Sequence, residues 1–148
     1  REEAIEVLKK HVDKDKNRVL ITGAVLASSE ESIGTYQKLE SYIDTSKFII
    51  SSPLDTMRFK GNDIERYERA MNLLKDAKFI IAEMSTASTG QGMELQEAVN
   101  LGIPILVIAK TGSKISGLVK GCCNVSDIVY YDDIDDIESI VKEFIKEG

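Results

Sequence analysis

The residues best suited to chemistry crowd into one stretch, Lys78 to Glu94, which reads Lys-Phe-Ile-Ile-Ala-Glu-Met-Ser-Thr-Ala-Ser-Thr-Gly-Gln-Gly-Met-Glu. It begins as the apolar run Phe79-Ile80-Ile81-Ala82, of the kind a strand buried on both faces requires. It then turns small and polar, and the Gly90-Gln91-Gly92 step delivers Glu94 to the first turn of a helix. A Ser, Thr and Gly loop between a buried parallel strand and a helix start lets a phosphate meet unpaired backbone N–H groups. Phosphate binding does not explain the carboxylate beside it. The bland reading is that Ser88 or Thr89 caps the helix and Glu94 suits its dipole. The stretch lacks the Gly-Lys-Ser/Thr step of a Walker loop and the third glycine of a dinucleotide fingerprint, so on generic grounds it points only to a small anion.

The elements that must position this loop alternate in type. Ile5, Leu8 and Val12 predict an amphipathic helix from Glu2 to Val12, followed by a charged connector from Asp13 to Arg18. Val19 to Thr22 reads as a strand running into a turn at Gly23, and Ser28-Ser29-Glu30-Glu31 offers caps for a helix through about Ile43. Phe48-Ile49-Ile50 is a second strand, ended by Pro53. Leu54 to Asn62 has no clear period and reads as a loop. A helix over Asp63 to Lys75 carries Ile64, Tyr67, Met71 and Leu74 along one stripe. After the focal strand and a helix ending at Gly102 come a strand over Pro104 to Ala109, a short helix over Ser116 to Lys120, a strand over Ile128 to Tyr131 and a helix from about Asp133 to Lys146. Short β-branched runs alternating with helices, without hairpin signals, predict an α/β fold, a three-layer doubly wound, flavodoxin or Rossmann-like parallel sheet of about five strands. Its ligand site belongs at the carboxyl ends of the strands, where the turn at Gly23, the loop after Ile50, the focal loop and the loop after Ala109 gather.

The chain of 148 residues, 43% hydrophobic and 30% charged, reads as a single domain over 1–148. A formal net charge of −6 argues against nucleic acid as the main partner. No apolar run is long enough to span a bilayer, and Arg1-Glu2-Glu3-Ala4 does not read as a signal peptide. Adjacent Cys122 and Cys123 would form a strained disulfide and give no metal site, so the expectation is reduced thiols in a cytoplasmic protein. His11, the single histidine, sits in the polar first helix and reads as without a chemical role.

The run from Ala77 to Gly121 resembles the nucleoside 2-deoxyribosyltransferase superfamily, and most closely its branch of nucleoside 5'-monophosphate N-glycosidases. The matching residues are Ala82-Glu83, Ser88-x-Gly90-x-Gly92-Met93-Glu94, Ala98, Gly102-x-Pro104 and Ser116-Gly117-Leu118-Val119-Lys120-Gly121, with the strand ending at Gly23 in the place of the family's first strand. The resemblance implies that Glu94 attacks the anomeric carbon of a (deoxy)ribosyl group, expelling the base, and that water or a second base then takes the sugar. A helix N-terminus would keep that carboxylate ionised beside an oxocarbenium-like transition state. The resemblance also makes Ser88 a phosphate-binding serine, makes Ser116 a second one contributed across a homodimer interface, and implies no cofactor. The substrate would be a nucleoside monophosphate, hydrolysed or used for transfer. The sequence departs from the family at two places. Ala70 stands where the glycosidases carry an aspartate, and Leu20 where they carry a tyrosine.

Asp55, Arg58, Tyr67, Glu68 and Glu83 are candidate helpers, as are Asp63, Glu65 and Lys60 in the same region. Each has a plainer reading. Glu83 suits a structural hydrogen-bond acceptor, Tyr36 and Tyr67 suit packing, Arg58 and Lys60 suit solvation, and Asp55 suits a turn. A nucleotide-binding module that has lost the reaction is the alternative to an enzyme, and a scaffold working through protein contacts is a weaker third.

Overall fold

The computed structural model describes residues 16–25 and 29–146. In chain order the elements are β1 (Arg18–Thr22), α1 (Glu30–Ser41), β2 (Ile49–Ser51), α2 (Pro53–Arg58), α3 (Asp63–Lys75), β3 (Ala77–Glu83), α4 (Thr89–Asn100), β4 (Ile105–Lys110), α5 (Gly117–Lys120), β5 (Val125–Tyr131), a 3-10 turn (Ile134–Ile137) and α6 (Glu138–Lys146). The five strands form one parallel sheet in the order β2-β1-β3-β4-β5. This is the expected α/β arrangement. The strand order reverses between β1 and β3, so the loops leaving these two strands part to opposite sides and open a crevice at their carboxyl ends.

Side-chain alternation along the central strands divides the core in two. Val19, Ile21, Phe79, Ile81, Leu106 and Ile108 face one layer, where Tyr36 and Leu39 of α1 and Val141, Phe144 and Ile145 of α6 cover them. Leu20, Ile80, Ala82, Ile105, Val107 and Ala109 face the other layer, under Leu74 of α3 and Leu95 and Ala98 of α4. The residues that could do chemistry on α3 and α4 therefore stand on the Leu20 and Ala82 face of the sheet. Among the described residues no helix is long and apolar enough to cross a membrane.

Several boundaries differ from the sequence reading. The segment expected as a loop after Pro53 begins with α2. Ser52 Oγ accepts from Leu54 N at 3.1 Å, Asp55 Oδ2 accepts from Ser52 N at 3.0 Å, and Pro53 occupies the first helical position, where its missing N–H costs nothing. The helix is too short to show an apolar period, but Ser-Pro-x-Asp was itself a start signal. The residue at the tip of β2 is Ser51, which extends that strand by one beyond the apolar run.

β5 starts at Val125, because an edge strand with one face in solvent tolerates Ser126 and Asp127. The last helix is preceded by the 3-10 turn, capped by Asp133, and becomes α-helical at Glu138. α1 starts one residue after its cap Ser29 and ends at Ser41. The predicted helix over 2–12, His11 and the candidate cap Ser28 lie outside the described residues.

Because two reciprocal bonds hold the start of α2, Ser52→Ala is expected to lower stability by about 1–2 kcal/mol. Asp55→Ala should cost a similar amount, and the double variant less than the sum, because each partner serves the same box. Urea unfolding of the three variants checks this.

Candidate active site

The crevice at the carboxyl end of β1 holds a small cleft of about 80 Å³. Its floor is Leu20 to Gly23, its walls are Ala70 and Leu73 of α3 and Glu94 of α4, and its rim is Pro53, Thr56 and Phe59. Glu94 is the sixth residue of α4, in the second turn rather than the first. This corrects the expectation that the helix start keeps it ionised, since dipole stabilisation falls off within the first turn. Burial dominates instead. Desolvation pushes the Glu94 carboxyl up to about 7, and the positive charge of Arg69 pulls the other way without overcoming it. Among the described residues no hydrogen bond reaches the Glu94 carboxyl. Near pH 7 the group is thus divided between its acid and its ionised form.

Two arginines of α3 line the same cleft, and sequence reasoning passed over both. Arg69 donates to Thr56 Oγ1 at 3.1 Å, and its guanidinium lies 5.4 Å from the centroid of the Phe59 ring. Arg66 approaches the same ring at 5.8 Å. A guanidinium stacked on an aromatic face and tied by one N–H has few remaining rotamers and several donors still available. Their spacing of three places both on one side of α3, and that side could have been read toward the sheet through Ala70 and Leu73.

The Gly90-Gln91-Gly92 step hides a second missed residue. Gln91 is 1% exposed, and its Nε2 donates to Thr22 Oγ1 at 2.9 Å and to the Glu83 carbonyl at 3.0 Å. It fastens the first turn of α4 to the ends of β1 and β3 and so fixes where Glu94 emerges. Ser88 is the N-cap of α4, accepting from Gln91 N at 3.3 Å. A long polar residue between two glycines at a helix start is the signal that could have marked it.

Gly23 lies on the cleft floor, and a Cβ there would meet the Tyr36 hydroxyl at 2.1 Å, so packing alone demands a glycine. Gly90 and Gly92 have nothing within 4 Å of a Cβ position and no left-handed backbone, so local structure does not demand glycine at either. Ser88, Gly92 and Ser116 line a neighbouring apolar groove between α4 and α5, and Ser116 caps α5.

The candidate helpers fall elsewhere. Asp55 is engaged in the α2 cap, Arg58, Lys60, Asp63, Glu65 and Glu68 are exposed or turned away from the cleft, and Tyr67 is 55% exposed. Glu83 is buried on the opposite face of the sheet, accepting from Ser85 N at 2.7 Å, from Ser85 Oγ at 2.9 Å and from the Tyr131 hydroxyl. Burial and that carboxylate push the Tyr131 hydroxyl well above its ordinary range. Cys122 and Cys123 are free thiols.

No protein-family model matches the sequence. A protein of Methanosarcina barkeri with the provisional name 2'-deoxynucleoside 5'-phosphate N-hydrolase 1 is 26% identical over 153 residues, covering 97% of this chain and 96% of its own length. The 5-hydroxymethyl-dUMP N-hydrolase of Rattus norvegicus is 34% identical over 74 residues, 49% of this chain and 45% of the rat protein. Among solved structures, the fold is shared with the CMP N-glycosidase BcmB of Clostridium botulinum, with a TM-score of 0.65 and 14% identity over 85% of this chain and 99% of that one. It is shared also with a 2-deoxyribosyltransferase of Bacillus psychrosaccharolyticus, with a TM-score of 0.62 and 17% identity over 81% and 90%. The chain is thus similar in sequence to nucleoside 5'-phosphate N-hydrolases and shares its fold with an N-glycosidase and a 2-deoxyribosyltransferase.

The two places where the sequence departs from the pattern of the family it resembles acquire a location in the fold. Leu20 and Ala70 both line the cleft that holds Glu94. Polar side chains at those two positions would have hydrated or hydrogen-bonded the carboxyl. Apolar ones leave it to desolvation and to Arg69.

Glu94 has a native pKa raised above its unfolded value, so the folded state binds the extra proton. Its ionisation therefore costs stability as pH rises from about 4.5 to about 7, and the cost is complete above that window. Glu94→Gln, a neutral shape mimic, is expected to raise stability at pH 8 by up to about 3 kcal/mol and to change little at pH 4.5. Melting curves of both proteins at the two pH values provide the measurement.

Proposed function

We propose that this protein is an enzyme that breaks the N-glycosidic bond of a nucleoside 5'-monophosphate with Glu94 as the nucleophile. The observation that carries the reading is the Glu94 carboxyl itself. It is isolated in a cleft at the topological switch point, held there by a helix start that Gln91 locks to the sheet. A group with no structural bond to make and a pKa near neutrality is arranged for reaction rather than for support. The ionised carboxylate attacks C1′, the C1′–N bond breaks with its electron pair passing to the base, and a glycosyl ester forms. Water then attacks the ester and releases the sugar phosphate, or a second base does so in transfer. The names of the similar proteins, which include N-hydrolases acting on nucleoside monophosphates, support hydrolysis.

The phosphate is assigned to the start of α4. Ser88, the first backbone N–H groups and the open space over Gly90 and Gly92 accommodate an anion approaching the backbone. A glycine inside a helix costs about 1 kcal/mol relative to alanine, so two glycines without a packing need fit a ligand that comes close. Ser116, on the same groove as Ser88, belongs to the phosphate site of a second copy of the chain in a homodimer.

One observation favours a second reading, that of a binding module without turnover. Leu20 and Ala70 bring no hydrogen-bonding group to the reacting centre.

Incubation with ribo- and deoxynucleoside monophosphates is expected to release free base, detected by chromatography, with kcat/KM rising through an acid limb near pH 7 as Glu94 ionises. Glu94→Ala should abolish release. Stabilisation by monophosphates in thermal melts without release from any of them selects the binding module. Release undiminished in Glu94→Ala removes the nucleophile assignment.

A further inference from the structure

A leaving base must acquire a proton or have its negative charge stabilised, and the cleft limits the choices. Among the described residues the charged groups lining it are Glu94, Arg66 and Arg69. Glu94 is committed to C1′, and the position of Ala70 offers no carboxylic acid. Arg69 is on the same helix one residue earlier. Thr56 and the Phe59 ring hold it, and it forms no ion pair with Glu94, so the two charges share one cleft without neutralising each other.

We propose, resting on the N-glycosidase reading above, that Arg69 is the leaving-group residue of this site and that it selects nucleoside monophosphates whose base departs as an anion. A guanidinium keeps its protons at any accessible pH, so it donates hydrogen bonds without transferring H⁺. When Glu94 bonds to C1′, the electron pair of the C1′–N bond passes to the base nitrogen and is delocalised onto the base's carbonyl oxygens. Arg69 N–H groups donate to such an oxygen, and the released anion takes its proton from water. A pyrimidine-2,4-dione fulfils this requirement. Adenine has no carbonyl oxygen and departs readily only after ring protonation, for which the described residues lining the cleft, apart from Glu94, offer no carboxylic acid or imidazole. Arg66, exposed and also against the Phe59 ring, keeps the mouth positive for an incoming phosphorylated substrate.

The test compares dUMP, 5-bromo-dUMP and dAMP with the wild type, Arg69→Gln and Arg69→Lys, following free base and recording thermal midpoints. The wild type is expected to favour dUMP over dAMP by on the order of tenfold or more. Arg69→Gln should lower kcat on dUMP by about 100-fold with KM changed less than about threefold. Its loss on 5-bromo-dUMP should be several-fold smaller, since bromine already stabilises the departing anion, and Arg69→Lys should recover part of the rate. A purely structural role for Arg69 would lower both substrates equally, and that result overturns the proposal, as does faster release from dAMP than from dUMP by the wild type. The second criterion stands even where Arg69→Gln fails to fold. Release of no base from any substrate overturns the N-glycosidase reading and this one with it, whereas release with equal losses overturns this one alone.

Discussion

A single buried amide holds the site together. Gln91 sits in the first turn of α4 and spends both protons of its side-chain amide on the ends of β1 and β3. Those strands are the pair between which the sheet order reverses, so the bond spans the crevice where a ligand site must lie. Gln91 Oε1 is left without a partner, a cost of about 1–3 kcal/mol for a buried polar atom. The fold accepts that cost and gains a fixed register between helix and sheet. Glu94, three residues on, inherits its position from this fastening. Glu83, whose carbonyl receives one of the two bonds, has its carboxylate turned to the other face, where Ser85 and Tyr131 saturate it.

The electrostatics of the cleft follow from the apolar residues around it. Leu20, Ala70 and Leu73 strip water from Glu94 without replacing it by hydrogen bonds, and a charge in that setting is expensive. Arg69 offsets part of the cost from across the cleft. A substrate phosphate at the place proposed for it, the start of α4, would bring negative charge but would be separated from Glu94 by more than a helical turn. The oxocarbenium character that develops on the sugar would be the positive charge nearest to the carboxylate. Burial then serves the reaction, because a poorly solvated anion gains most when a cation forms beside it.

The parallel sheet and the strand that leads to the cleft were legible in the sequence because buried parallel strands are continuous apolar runs, and the Ser88 to Glu94 spacing drew attention to the carboxylate that the fold places in that cleft. α3 was placed to the residue, since Asn62 and Glu65 form a capping box and Lys75 ends the periodic stripe. α2 was not legible, because six residues are too few for periodicity and Pro53 had already been assigned the role of ending β2. Arg66 and Arg69 were missed for a related reason. Their importance depends on Thr56 and Phe59, which come into place only when α2 forms. Gln91 looked like the variable letter in a glycine motif, and only the spatial meeting of β1, β3 and α4 gives it its task. Asp55, Tyr67 and Glu68 carried plausible chemistry at the wrong address: a sequence gives the helix they lie on or beside, but not which way its surface faces.

The layout separates two functions that many sites combine. Glu94 is fixed from α4 through Gln91, while Arg69 is fixed from α3 through Thr56 of α2 and Phe59, the residue that caps the end of that helix. These supports share no residue. Under the proposed roles, substitution in the α2 segment would alter the support of Arg69, and with it base preference, while leaving Glu94 where it is.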